Sequence, residues 1–173
     1  PPSIVQDTPD VVGSFGEVDQ IELTVPTGTT QAYLNASWTG FKSINGAIDA
    51  FTIEGISYQV TSLDNNNNTV KITGNINSGA ITIPSQVTDN EGEGGITYTV
   101  TEIGDGAFRD DTVTSIVIPD GVTHIGNGAF RENTITAVSI PSSVTSIGNG
   151  SFAENNITTL SIGNNVTTIG NNT

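Results

Sequence analysis

The dipeptide Ile-Gly occurs at residues 103–104, 125–126, 147–148 and 169–170, each copy 22 residues after the last. Other apolar positions keep the same step. Phe108, Phe130 and Phe152 form one column, Val113, Ile135 and Ile157 a second, and Ile116, Val138 and Leu160 a third. Ile118, Ile140 and Ile162 form a fourth, and Val122, Val144 and Val166 a fifth. A fixed period of roughly 20–50 residues marks a repeat architecture, because one unit cannot bury its apolar edge alone and neighbouring units must stack to do so.

Within a copy, the spacing of Val113, Ile116 and Ile118 predicts a short strand with alternate side chains in a core. Pro119 and Pro141 end that strand because proline has no N–H to donate to a ladder, and Gly163 replaces proline in the third copy. A second extended piece is expected at 122–125. Gly126-Asn127-Gly128 follows, with glycines that tolerate backbone angles closed to other residues. Ala129-Phe130-Arg131 then begins a tight helical turn or an irregular return.

Upstream, Ile81-Thr82-Ile83-Pro84 repeats the strand and proline, but Ile83 precedes Ile118 by 35 residues, 13 more than one period. An insertion over about 88–99 accounts for the excess, with a glycine-rich turn at 89–95 and an alternating strand at 96–100 forming a hairpin. The alternating segments 51–60 and 69–73 read as further strands that cap the first unit.

Composition narrows the function. Four Lys and Arg stand against 18 Asp and Glu, a formal charge of −14, which repels phosphate backbones and anionic membranes. Nucleic acid is therefore not an expected partner, and neither is direct membrane insertion, since no apolar run approaches the length of a span. With no cysteine there is no disulfide framework and no thiol chemistry. Only 34% of residues are hydrophobic, which suits a narrow stacked core better than a wide central one.

The segment from Thr114 through Ile118-Pro119, Val122-Thr123-His124-Ile125-Gly126 and Ala129-Phe130 resembles the BspA-like leucine-rich repeat family of bacterial surface proteins. The likeness extends to 51–100, with Phe51, Gly55-Ile56 and Tyr58 in the pattern of the family's opening segment. Residues 18–44 resemble its closing segment, through Val25-Pro26, Tyr33, Trp38, Phe41 and Ile44. The resemblance implies a mostly β solenoid of leucine-rich-repeat type: right-handed coils of 22 residues with short strands, irregular or short helical returns, and a β-rich N-terminal cap. It also implies an extracellular or cell-surface location, adhesion and protein binding, and no reaction.

The expected organisation is a linker at 1–17, the closing segment of a preceding array at 18–47, the cap and first coil with its hairpin insertion at 48–100, and repeats at 101–173. The chain is read as part of a longer parent with flanking domains, with the apolar edge of the last coil uncovered. The partner is expected to be a protein or cell-surface component of unknown identity.

No candidate site carries catalytic chemistry. His124, the single histidine, occupies the position of Ser146 and Thr168 in later copies and reads as a solvated repeat position. Asp89, Glu91 and Glu93 crowd a glycine-rich turn and raise the question of calcium, but they lack the ligand order of a calcium loop, so no cofactor is expected. The stacked acids Asp110, Glu132 and Glu154 run beside Arg109 and Arg131. Asn127, Asn149 and Asn171, with Asn133 and Asn155, read as amide ladders serving backbone groups at the bends.

If the first strands align in a sheet, Ser115, Val117, Ala137, Ser139, Thr159 and Ser161 face outward as a binding face. Their small size favours weak or avid binding, since interface hot spots are mostly large aromatic or Arg side chains. The alternative is a passive stalk or spacer. A third reading, ice binding, rests on the threonine ladders Thr114/Thr136/Thr158 and Thr123/Thr145/Thr167.

Overall fold

The computed structural model describes residues 22–23, 43–44, 50–62, 67–89 and 96–173. The chain divides into two units. In the first, β1 (Glu22–Leu23) pairs in parallel with β2 (Ser43–Ile44). The remainder of the expected closing segment at 18–47, and the linker at 1–17, lie outside the described residues.

The second unit is strand-rich, with no helix among the described residues. Three antiparallel-capable strands open it: β3 (Ala50–Ile53), β4 (Ile56–Ser62) and β5 (Thr69–Asn75). Then come β6 (Gly79–Thr82), β7 (Gln86–Thr88) and β8 (Thr97–Ile103). In the repeats, the longer strands are β9 (Val113–Val117), β11 (Ala137–Ile140) and β13 (Thr159–Ile162). They alternate with the two-residue strands β10 (His124–Ile125), β12 (Ser146–Ile147) and β14 (Thr168–Ile169).

The principal sheet has the order β14-β12-β10-β8-β5-β4-β3, with β7 paired to β8 off that path. From β8 to β14 the strands are parallel and in register at one period: Ile103 opposes Ile125, Ile125 opposes Ile147, and Ile147 opposes Ile169. At the other end, β4 pairs antiparallel with both β3 and β5, closing the stack as a cap. β7 and β8 also pair antiparallel, with Val87 opposite Tyr98, as a hairpin insertion requires.

The 13-residue excess is visible in the register. Ile81 opposes Ile116 and Thr82 opposes Val117, each pair 35 residues apart, in parallel strands. The extra residues thus leave the stack and return to it without shifting which side chains face the core.

That core is a set of columns. Phe108, Val113, Val122, Phe130, Ile135 and Val144 are all fully buried. Rings of Phe108 and Phe130 stack with centroids 5.1 Å apart, and Phe130 and Phe152 follow at 5.2 Å. In the cap, Phe51 stacks on Tyr58 at 5.5 Å and lies 5.3 Å from Tyr98. Fully burying one such aliphatic or aromatic side chain contributes about 1.5–3 kcal/mol, so each added unit supplies several such increments.

The returns after each Ile-Gly are turns. Gly126, Gly148 and Gly170 sit where a side chain cannot: a Cβ at Gly126 would lie 2.5 Å from the backbone nitrogen of Asp105, and one at Gly148 would lie 2.6 Å from that of Asn127. Close approach of successive units at this bend therefore requires glycine.

Side chains complete the hydrogen bonding between units. The Asn133 amide donates to the carbonyls of Phe108 (2.7 Å) and Phe130 (3.0 Å), while its Oδ1 accepts from the Val113 N–H (2.7 Å). One unit later, Asn155 donates to Phe130 and Phe152 and accepts from Ile135. A second ladder runs through Asp105, Asn127 and Asn149, each accepting from the backbone N–H of the residue 22 positions on. These bonds serve backbone groups that the turns leave without ladder partners, as the asparagine columns led one to expect.

Candidate functional site

The outward face expected on the longer strands exists residue by residue. Ser115, Val117, Ala137, Ser139, Thr159 and Ser161 are all exposed, between the buried Val113, Ile116, Val138 and Ile140. Two-residue alternation along a strand is the cause. The ladder beneath them is not continuous, however. Ala137 opposes Thr159 and Ser139 opposes Ser161 in one two-stranded sheet, while Ser115 and Val117 oppose Ala80 and Thr82 in another. No ladder joins β9 to β11 among the described residues. Proline at positions 119 and 141 and the short strand lengths leave too few free N–H groups to knit one sheet. Val117, 56% exposed, is the one large apolar side chain of the six.

The threonine columns are committed to the fold. Thr123, Thr145 and Thr167 donate through Oγ1 to the carbonyls of Thr101, Thr123 and Thr145, each at 3.1 Å. Thr158 likewise donates to the Thr136 carbonyl at 3.3 Å. Hydroxyl protons spent inward are not available to order water outside.

His124 is exposed, in register with Glu102 and Ser146. Its Nδ1 lies 2.7 Å from Thr123 Oγ1. Because that hydroxyl donates to Thr101, Nδ1 is the protonated partner and donates to the hydroxyl.

The acidic features have structural partners. Asp89 accepts from the Ile96 N–H (3.1 Å) and the Tyr98 hydroxyl (3.0 Å), pinning the base of the hairpin. Glu91 and Glu93 lie outside the described residues. Among the described residues no group of three or more His, Cys, Asp or Glu is placed to hold a metal ion. Glu132 pairs with Arg109 at 2.7 Å, and Glu154 pairs with Arg131. Asp110, Glu132 and Glu154 all adopt left-handed angles, with φ of 59°, 60° and 58°. The turn geometry thus aims each carboxylate of Glu132 and Glu154 at the arginine of the preceding unit. Asp111 is held above the usual carboxylate range by its partial burial, against the lowering effect of the Asn75 amide, which donates to it at 3.1 Å.

A groove of about 690 Å³ crosses the principal sheet on the side of its short strands. His124, Ser146 and Thr168 line it from the strands, and Asp105, Asn127 and Asn149 line it from the turns. The glycine column of residues 104, 126, 148 and 170 lies between them in the chain and also lines it. The sequence shows each column, but not that two of them flank a common depression. The recurrence of a polar residue immediately before Ile and another just after Gly was the available signal.

Parallel strands in register at one repeat, stacked apolar columns and amide ladders at the bends define a β-rich repeat protein. Residues 96–173 match the BspA type leucine rich repeat region in six copies, and this part of the chain belongs to that family. Among solved structures the chain is similar to a leucine rich cell surface protein of Faecalibacterium prausnitzii, with 29% identity and a TM-score of 0.52 over 70% of this chain and 42% of that one. It is also similar to the pneumococcal vaccine antigen PcpA, with 18% identity and a TM-score of 0.49 over 71% of this chain and 40% of the antigen. A leucine-rich repeat protein of Bacteroides capillosus shows 22% identity and a TM-score of 0.48 over 65% of this chain and 97% of its own. The chain therefore spans less than half the length of the first two proteins. No curated protein matches it.

Proposed function

We propose that this chain is a non-enzymatic module displayed at the cell surface, where its repeats form a solenoid of 22-residue coils that binds protein or mediates adhesion. The observation that carries this reading is the likeness to the Faecalibacterium cell surface protein, joined to membership of residues 96–173 in the BspA-type family. The exposed residues Ser115, Val117, Ala137, Ser139, Thr159 and Ser161 supply the contact face, with Val117 as its apolar anchor.

A passive spacer is the second reading, and the small size of five of those six side chains favours it, since small side chains make poor hot spots. One experiment separates the two. Immobilised matrix proteins and whole bacteria are presented with the chain, with and without calcium, alongside the variants Ala137→Arg and Thr159→Glu. Adhesion predicts retention that falls at least tenfold in the variants. A spacer predicts no retention in any form.

A further inference from the structure

We propose that the groove along the short strands is a track for an uncharged linear polysaccharide, separate from the face assigned to protein binding. Its long dimension crosses β5, β8, β10, β12 and β14, whose parallel pairing repeats the same surface at each strand. The offset between rungs is the strand spacing, about 4.8 Å.

Chemistry and spacing select the ligand. The ionised side chains lining the groove, Lys71, Glu102 and Asp105, lie at its β5–β8 end. Beyond them each rung presents a hydroxyl or imidazole from the strand and an amide from the turn: His124 with Asn127, then Ser146 with Asn149. Such a surface offers a polyanion no compensating charge, and it offers a polycation too few carboxylates. Backbone groups along the base are already committed, with Gly126, Gly148 and Gly170 donating to Ile103, Ile125 and Ile147 at 2.8 Å, so recognition falls to these side chains.

An extended peptide along the same axis would repeat its same-face side chains every two residues, at about 6.6 Å, and fall out of step with rungs at about 4.8 Å. A pyranose chain linked through opposite ring carbons advances by close to one rung per sugar, and each ring carries hydroxyls that both donate and accept. A repeating polymer on a repeating site gains affinity by adding weak, equivalent contacts.

The test uses the full chain and two series of β-1,4-linked oligosaccharides, one of glucose and one of N-acetylglucosamine, with binding followed by calorimetry and by amide chemical shifts. The two series distinguish a plain glucan from an amino-sugar wall polymer as the source. Expected is binding in at least one series that strengthens with each added ring, levels off near the number of rungs, and perturbs Asn127, Ser146 and Asn149. Ser146→Arg should weaken it at least tenfold. Position 146 aligns with Glu102 and His124, so the stack already accommodates large side chains in this column, and Thr168→Arg provides a second blocking variant at an exposed position. Absence of binding in both series, affinity independent of chain length, or binding unchanged in correctly folded blocked variants overturns the proposal. So does a peptide or protein ligand that occupies the groove and is lost with Ser146→Arg. Retention on matrix proteins by the Ala137 and Thr159 face is unaffected by any of these results.

Discussion

Phe108 and Phe130, one repeat apart, stack with ring centroids 5.1 Å apart and planes inclined by 14°, both fully buried. The carbonyls of both residues accept from a single side chain, the amide of Asn133. Apolar stacking and polar satisfaction therefore meet at one bend, and each holds the other in place.

Replacing Asn133 should be among the most damaging polar substitutions. Its amide serves two buried carbonyls and its oxygen one N–H, and a buried group left unpaired costs about 1–3 kcal/mol. Urea unfolding of Asn133→Ala should show a loss of roughly 3 kcal/mol or more. Asn155→Ala, at a half-buried position with the same bonding pattern, should lose less.

Ser151 points the other way. It occupies the column of Ala107 and Ala129, is fully buried, and its hydroxyl has no hydrogen-bond partner. Ser151→Ala removes that unpaired group without opening a large void, and thermal melting should register a gain of about 1 kcal/mol.

Gly126→Ala and Gly148→Ala test the close approach between units. A Cβ would meet backbone atoms of the preceding turn at 2.5–2.6 Å, and backbone cannot swing aside as a flexible side chain can. Each variant should lose at least about 1–3 kcal/mol in chemical denaturation, the range for overpacking. A loss below about 0.5 kcal/mol would contradict the packing described.

The exposed ion pairs should matter little. Arg109 and Glu132 are 50% and 30% exposed, so Arg109→Ala should cost no more than about 1 kcal/mol, and less in high salt. Comparing melting at low and high ionic strength checks both parts.

Alkaline pH should weaken the cap. Burial, aided by the nearby Glu54 carboxylate, pushes the Tyr58 phenol up to about 12 from 10.0. In the unfolded chain the phenol ionises first, so the unfolded state binds fewer protons between these values and stability falls as pH rises from 10 to 12. Tyr58→Phe should flatten that decline, measured by unfolding at a series of pH values.

Much of this was readable before any coordinates. A side chain that recurs every 22 residues can only stack on its own copies, so Ile103, Ile125 and Ile147 declared their register, and Phe108, Phe130 and Phe152 their column. Asparagine at each bend signalled amide ladders, because turns strand backbone groups that short polar side chains reach. The outward position of Ser115, Ala137 and Thr159 followed from strand alternation. Tertiary structure alone decided what lies side by side between columns. Glu102 joins the column of His124, and Asp105 the ladder of Asn127, because β8 carries the repeat register back beyond the first clear copy. The break between β9 and β11 likewise depends on which N–H and C=O groups come within bonding distance. A one-dimensional period specifies which residues are equivalent; the depth of a groove and the closure of a ladder depend on angles and distances between neighbouring units, which packing sets.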